Sequence, residues 1–400
     1  MADKKQMLLV MEAVQMNGAV KGWLGYLDAI DKSEWDIDVF LFDSDRHDGL
    51  ALPEYVRKLP DDIHCVIERV GFWRALQYTL ARGRIDLALK RVWYSLMQRR
   101  YPRFRKWNLA KPAKTQPKHY DVAIGSSQGV SWEYVATKVS ADVKLAWVDT
   151  DVSAGYWKVV WDYFKKYMDV LSGVVCVSKA MRDKMRANNP QWADKIFAMN
   201  YVIDEESILS RSAETCPFPK KGRWRLITVG RYSPEKGQHL IPAMAQGLKT
   251  VGVDFEWYVI APGSSSQKES IDKELKEREV VENVFVTEGM SNPFPMVKSA
   301  DIAVQPSSFE GFGLTVSEAM ILGTFVVASD IPSFREQITS PELGLFAKAV
   351  DVESFVTAIL EGIHVVRSGA VSKEFHSPYN KANTYRQFTE IIESSRRKVK

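Results

Sequence analysis

The sequence predicts an α/β fold of two successive parallel-sheet domains, and three observations predict it. Short apolar runs, such as 7–11 and 174–177, have the length and the aliphatic content of strands buried on both faces. Stretches of helical periodicity lie between them, and this alternation builds a parallel sheet covered by helices. The alternation lapses once, across 200–221, which ends in Cys216-Pro217-Phe218-Pro219-Lys220-Lys221 and reads as a linker, and then restarts.

In the first series the strands are 7–11, 37–42, 63–67, 122–124, 143–148 and 174–177. A Met16-Asn17-Gly18 turn follows the first, leading into a helix that carries Trp23, Tyr26, Leu27 and Ile30. In the second series 226–229, 255–260, 284–286, 302–304 and 324–328 are strands and 238–248 is helical, and 379–392 reads as a further helix. The expected divisions are 1–203, 204–377 and a terminal helical piece at 378–400. Four hundred residues suit two or three domains.

Lys plus Arg number 54 and Asp plus Glu 50, a net charge of +4, too mild to imply nucleic acid. Cys65, Cys176 and Cys216 stand in no metal or redox spacing and fit a reducing compartment. His47, His64, His119, His239, His364 and His376 are dispersed. Gly18, Gly22 and Gly25 do not form a dinucleotide fingerprint. Lys4 and Lys5 precede 7–11, but Glu12 cuts that run far short of a signal peptide, and no apolar stretch approaches a spanning helix. A soluble or peripheral, cytoplasmic protein is expected.

One segment is strongly basic. Between 82 and 118 stand Arg82, Arg84, Lys90, Arg91, Arg99, Arg100, Arg103, Arg105, Lys106, Lys111, Lys114 and Lys118, against Asp86 alone. Ile85, Leu89, Val92 or Trp93, and Leu96 recur at helical spacing, and Tyr101, Phe104 and Trp107 interleave with the bases after them. Two readings stand: attachment to an anionic membrane surface or capture of an anionic lipid head group, or else a core helix with a solvated basic face. Nucleic acid has no recognition motif to support it.

The residues that carry chemistry concentrate in 301–330. The apolar run 302–304 ends in Pro306-Ser307-Ser308, then comes Glu310-Gly311-Phe312-Gly313, then a helix that Thr315 caps and Gly323 ends. A strand, a glycine loop and a helix N-terminus in series converge unpaired N–H groups and the positive end of the helix dipole on an anion. Glu310 and Glu318 both reach that ligand, unless Glu318 completes a capping box, Thr315-Val316-Ser317-Glu318. The loop Gly230-Arg231-Tyr232-Ser233-Pro234-Glu235-Lys236-Gly237 occupies the equivalent strand end at the start of the second domain. Arg231 and Lys236 there meet an anion, or form a surface pair with Glu235. Asp149-Thr150-Asp151 follows another strand, but two acids do not make a site for a hard cation, and Asp43-Ser44-Asp45 repeats the pattern.

These motifs resemble those of the retaining glycosyltransferases of GT-B fold, family 4, which includes bacterial polysaccharide and cell-envelope enzymes. The resemblance rests on Gly230-Arg231, Lys236-Gly237, Asn292-Pro293-Phe294-Pro295, Glu310-Gly311-Phe312-Gly313 with Glu318, Ser317-Glu318-Ala319-Met320 and Arg335-Glu336, in the right order. In the first domain it is looser, through Asn17-Gly18-Ala19, Tyr120-Asp121-Val122-Ala123-Ile124, Ala146-Trp147-Val148 and Val175-Cys176-Val177-Ser178. It implies two Rossmann-like domains facing a cleft, an acceptor on the first and a nucleotide diphosphate-sugar on the second, a UDP-sugar rather than a GDP-sugar. It implies no metal and no cofactor beyond that substrate. Arg231 and Lys236 bind the diphosphate, Glu310 the sugar hydroxyls and Glu318 the ribose. Gly311, Phe312, Gly313, Leu314 and Thr315 line the donor with Gly230, and Gly18 faces the diphosphate from the first domain. The acceptor is a glycan, a glycolipid or a lipid-linked glycan. The final helix returns to the first domain.

This chain departs from the resemblance where many relatives have Trp-x-His-x-Asp. It has Trp147-Val148-Asp149-Thr150-Asp151, so Asp149 stands in for a histidine near the reacting sugar, and Asp149 and Asp151 become candidates for the sugar or acceptor site. The competing expectation is a catalytically silent subunit of the same fold that binds a partner enzyme or a glycan.

Overall fold

The computed structural model describes residues 4–14, 18–43, 51–60, 62, 72–100, 113–152, 155–220, 223–262, 265–372 and 374–397. The expected strand 63–67, Met16-Asn17, Ser44-Asp45, His47, His64, Cys65 and the 101–112 part of the basic segment lie outside them. The chain divides into two compact units, Met1–Val202 with Lys381–Lys400, and Ile203–Asn380.

The first unit holds one sheet of seven strands: β1 Lys5–Met11, β2 Trp35–Leu41, β3 Arg57–Lys58, β4 His119–Gly125, β5 Ser140–Val148, β6 Gly173–Cys176 and β7 Ile196–Ala198. Their order is β3-β2-β1-β4-β5-β6-β7 and every pairing is parallel. The helix Gly18–Ala29 buries Val20, Trp23, Tyr26 and Leu27. Trp23 donates its indole N–H to the Ser126 carbonyl at 2.8 Å and packs edge-on against Trp147 at 4.7 Å between ring centres. Gly22 is required in this helix, because a Cβ there would lie 2.1 Å from the Tyr201 ring. The Lys381–Arg396 helix belongs to the same unit, with Phe388 edge-on to Trp35 and Lys381 paired with Asp28 at 2.6 Å.

Helices Phe72–Leu80 and Ile85–Arg100 pack on each other. The second turns Leu87, Ala88 and Arg91 inward, while Ile85, Leu89, Val92, Trp93 and Leu96 are exposed. Of the two readings of this periodicity, the core helix with a solvated basic face is therefore overturned. The apolar stripe is the outer face.

The second unit holds β8 Trp224–Val229, β9 Phe255–Ile260, β10 Val284–Thr287, β11 Ile302–Gln305, β12 Phe325–Ser329 and β13 Gly344–Ala347. They form a parallel sheet in the order β10-β9-β8-β11-β12-β13. The chain begins this sheet at β8, runs outward through β9 and β10, and crosses back to lay β11 on the other side of β8. In such a doubly wound sheet the crevice beyond the carboxyl ends of β8 and β11 is the topological switch point, where ligands bind. The 200–221 stretch read as linker contains a helix, Glu205–Arg211, capped by the Asp204 carboxylate accepting from the Ser207 amide at 3.0 Å. The sequence signal was faint because the helix is only two turns long.

The core between the sheet and its helices includes Trp257, Phe255, Ile302, Phe325 and Phe355. Trp257 donates to the Thr228 hydroxyl at 3.1 Å, and that hydroxyl donates to the Val304 carbonyl at 2.7 Å, which fixes β9, β8 and β11 side by side. Arg225 is fully buried and donates to Glu256 at 2.7 Å, to Ser299 at 2.9 Å and to the Phe218 carbonyl at 2.8 Å. Truncating it strands a buried carboxylate. Arg225→Ala is expected to lower stability by about 3–5 kcal/mol, read as a fall in the urea midpoint, because one partner of a buried pair is removed without the other.

Candidate functional site

The switch point of the second unit is built by two loops that clasp each other. After β8 the chain forms a single turn at Pro234–Lys236, with proline at its first position, and Gly237 ends it in the left-handed region at φ +73°. A Cβ on Gly237 would lie 2.1 Å from the Pro306 carbonyl oxygen, so only glycine lets the loop after β11 approach. The Ser308 amide then donates to the Glu235 carbonyl at 2.8 Å. Gln305 completes the clasp: its amide N–H groups reach the Val229 carbonyl at 3.0 Å and the Thr315 hydroxyl at 2.9 Å.

Inside the clasp Lys236 Nζ lies 2.6 Å from both Glu310 carboxylate oxygens, and Ser307 donates to Oε1 at 2.8 Å. Glu310 is 8% exposed, so its charge is desolvated and held by a bidentate ammonium. Arg231 is exposed and reaches Glu235 at 3.4 Å, a distance and setting that contribute little stability. The two alternatives for these cations thus divide between them. Arg231 makes the surface pair with Glu235, and Lys236 turns inward to Glu310.

The helix after the glycine loop is Leu314–Ile321, two residues earlier than a Thr315 cap requires. Gly313 is its N-cap, at φ +91°, with no side-chain cap. A Cβ on Gly313 would lie 2.4 Å from the Phe334 ring. The capping box is therefore not formed, and Glu318 stands beyond the first turn, half-buried, rather than in it. Thr315 is thus not the cap that the competing structural role of Glu318 supposed. Among the described residues the amides of Gly311, Gly313 and Leu314 have no partner. The Phe312 ring is buried edge-on to Tyr379 at 5.0 Å, and its carbonyl accepts from Gln337, whose own oxygen accepts from Ser317. Gln305 and Gln337 were not singled out in the sequence, and Ser307 only as a turn residue. The one available signal was a glutamine at the end of an apolar strand, a buried amide that must find partners. Asn292 has a structural role, donating to the Arg211 carbonyl at 2.8 Å and accepting from the Phe294 amide at 3.2 Å. Arg335 forms a bidentate pair with Asp330.

In the first unit Gly18 is exposed and opens the Gly18–Ala29 helix. Asp149 follows β5. Its Oδ1 accepts from the Tyr201 hydroxyl at 2.6 Å, its backbone amide donates to the Gln128 side-chain Oε1 at 3.0 Å, and its buried Oδ2 has no partner among the described residues. Asp151 lies apart from it in an ion pair with Lys184 at 2.6 Å. Among the described residues no three His, Cys, Asp or Glu side chains come together as a metal site. Burial pushes the Asp149 carboxyl up to about 7, against the lowering pull of Tyr201.

This sets a pH dependence. Between the ordinary carboxyl range and about 7, folded Asp149 keeps a proton that the unfolded chain has lost, so its contribution to stability falls as pH rises through that window. Asp149→Asn removes the effect. Relative to the variant, the wild-type protein is expected to lose about 1.4 kcal/mol per pH unit across the window, read from urea midpoints at about pH 5 and about pH 8. A difference that does not vary with pH would show that the carboxyl titrates normally.

Comparison with known proteins bears on both units. The glycosyl transferases group 1 family model matches residues 217–364, the stretch that contains both clasped loops. The O-antigen biosynthesis glycosyltransferase WclY of Escherichia coli is 33% identical over 89 residues, 22% of this chain and 25% of that protein. The lipopolysaccharide core biosynthesis mannosyltransferase LpsB of Rhizobium meliloti (strain 1021) is 34% identical over 137 residues, 32% of this chain and 38% of that protein. The chain thus matches between a quarter and two-fifths of the length of these relatives. The solved structure of Anabaena HepE in complex with UDP and glucose aligns with a TM-score of 0.61 at 12% identity, over 99% of this chain and 98% of that one. The α/β scaffold of two parallel sheets is accordingly that of the GT-B glycosyltransferases, and residues 217–364 carry the glycosyl transferases group 1 family on it.

Proposed function

We propose that the chain is a retaining glycosyltransferase. It moves a sugar from a nucleotide diphosphate-sugar, a UDP-sugar, to a hydroxyl of a glycan, glycolipid or lipid-linked acceptor in polysaccharide or cell-envelope synthesis. The observation that carries the reading is the Lys236–Glu310 pair at the switch point, beside exposed Arg231 and the amides of Gly311, Gly313 and Leu314. Glycosyl transfer builds negative charge on the departing phosphate and positive charge on the sugar ring together, so it needs fixed cations at one end and hydrogen-bond acceptors at the other. Arg231 and Lys236 supply the first, in place of a metal, and Glu310 orients the sugar hydroxyls. Glu318 accepts from the ribose. Retention of configuration requires no separate base if the leaving phosphate takes the acceptor proton on the same face.

Asp149 fits this reading better than a bare carboxylate would. Held up to about 7, it is protonated in a large share of molecules near neutrality, and its unpartnered Oδ2 can then present an O–H where many relatives have a histidine. The same substitution is what favours the second reading, a silent subunit that binds a partner enzyme or glycan. Donor binding separates the two, since a silent module has no need of UDP affinity that depends on Arg231. We place the reaction at the cytoplasmic face of a membrane.

Turnover in Arg231→Ala and in Glu310→Gln is expected to fall roughly 10²-fold or more, as when one charge-stabilising donor is lost from other active sites. Near-normal rates in either variant would remove that residue's role. A panel of nucleotide sugars, followed by release of free nucleotide with and without acceptor, identifies the donor. UDP release that requires acceptor supports transfer over isomerisation of the sugar.

A further inference from the structure

The helix pair Phe72–Leu80 and Ile85–Arg100 wears its large apolar side chains on the outside. On the second helix Ile85, Leu89, Val92, Trp93 and Leu96 fall at i, i+4, i+7, i+8 and i+11, one face by the helical repeat, and span about 17 Å of helix. Leu89 is 66% exposed and Ile85 62%. Trp73 and Leu80, seven apart on the neighbouring helix, add a second outward stripe, with Trp73 76% exposed. Scattered exposed leucines are ordinary. Two outward stripes on packed helices, each with an exposed tryptophan, mark an interaction surface.

Charge identifies the partner. Residues 72–100 contain seven bases, of which Arg74, Arg82, Lys90 and Arg100 are exposed and Arg91 turns inward, against one acid. That acid, Asp86, is already held by Arg84 at 2.7 Å. Arg82 is exposed and stacks its guanidinium over the Tyr78 ring at 3.7 Å. A second copy of the same face would oppose these bases to one another. No helix among the described residues is long and apolar enough to cross a membrane. A bilayer surface with anionic headgroups satisfies both features at once, because the headgroup–acyl boundary receives the stripe and its tryptophans, and the phosphates receive the bases.

We propose that this outward face docks the protein on an anionic lipid surface, with the Ile85–Arg100 helix lying in the plane of the interface. The inference uses none of the donor-site residues, so vesicle binding tests it without donor, acceptor or turnover. The full chain is floated with phosphatidylcholine vesicles containing about 30% phosphatidylglycerol, and with phosphatidylcholine alone, at low and high salt. The wild-type protein is expected to float with the anionic vesicles and to be released by salt. Leu89→Gln/Trp93→Gln, which alters only exposed positions, is expected to bind ~10-fold more weakly or less, with unchanged circular dichroism and melting. Arg82→Glu/Lys90→Glu is expected to lose the preference for anionic lipid. Equal flotation with neutral vesicles, or undiminished binding by the Leu89→Gln/Trp93→Gln variant, would overturn the proposal. So would a wild-type dimer in sedimentation that this variant abolishes, since a second copy would then cover the stripe.

Discussion

A single backbone approach underlies the candidate site. Gly237 brings the loop after β8 against the Pro306 carbonyl of the loop after β11, at a separation that no side chain permits. Everything polar at the switch point follows from that contact: the Ser308 amide finds Glu235, Gln305 bridges Val229 to Thr315, and Lys236 is carried to within 2.6 Å of Glu310. The sheet order supplies the crevice, because β8 and β11 are neighbours whose connections leave in opposite directions. A general α/β scaffold thereby holds a particular pair of charges.

Most of the scaffold was legible in the sequence, and the reason is periodicity. Strands buried on both faces announce themselves as short apolar runs, and 255–260 was placed to the residue. The misreadings share a cause. Thr315 and Glu318 have the spacing of a capping box, but the close fit of Gly313 against Phe334 starts the helix earlier, and no local pattern encodes a contact across twenty residues. The stripe from Ile85 to Leu96 has the period of a core helix, and period alone does not say which side of a helix faces water. Glu310, Arg231 and Lys236 were visible because glycine loops at strand ends are visible. Their division of labour was not, since only coordinates show that Lys236 turns toward Glu310 while Arg231 stays outward.

The first unit shows a parallel economy of space. Gly22 leaves room in its helix for the Tyr201 ring, and Tyr201 from that seat holds one oxygen of Asp149. The small residue and the carboxyl are far apart in sequence, yet both touch the one tyrosine. Trp147, immediately before the Val148-Asp149 step, packs against Trp23 and Tyr26 of the same helix, so the strand end is aromatic on one side and polar at its tip.

The Lys236–Glu310 pair also bears on how tightly any anion is held. A resting ammonium already satisfied by two carboxylate oxygens offers little to a small free anion, because leaving the pair strands a buried carboxylate. A ligand gains Lys236 only if it brings hydroxyl groups that satisfy Glu310 at the same moment. The carboxylate then acts as an internal competitor. For the nucleotide sugar proposed above, this competition favours a molecule that joins sugar to phosphate over inorganic phosphate, and returns the ammonium to Glu310 once the sugar has gone.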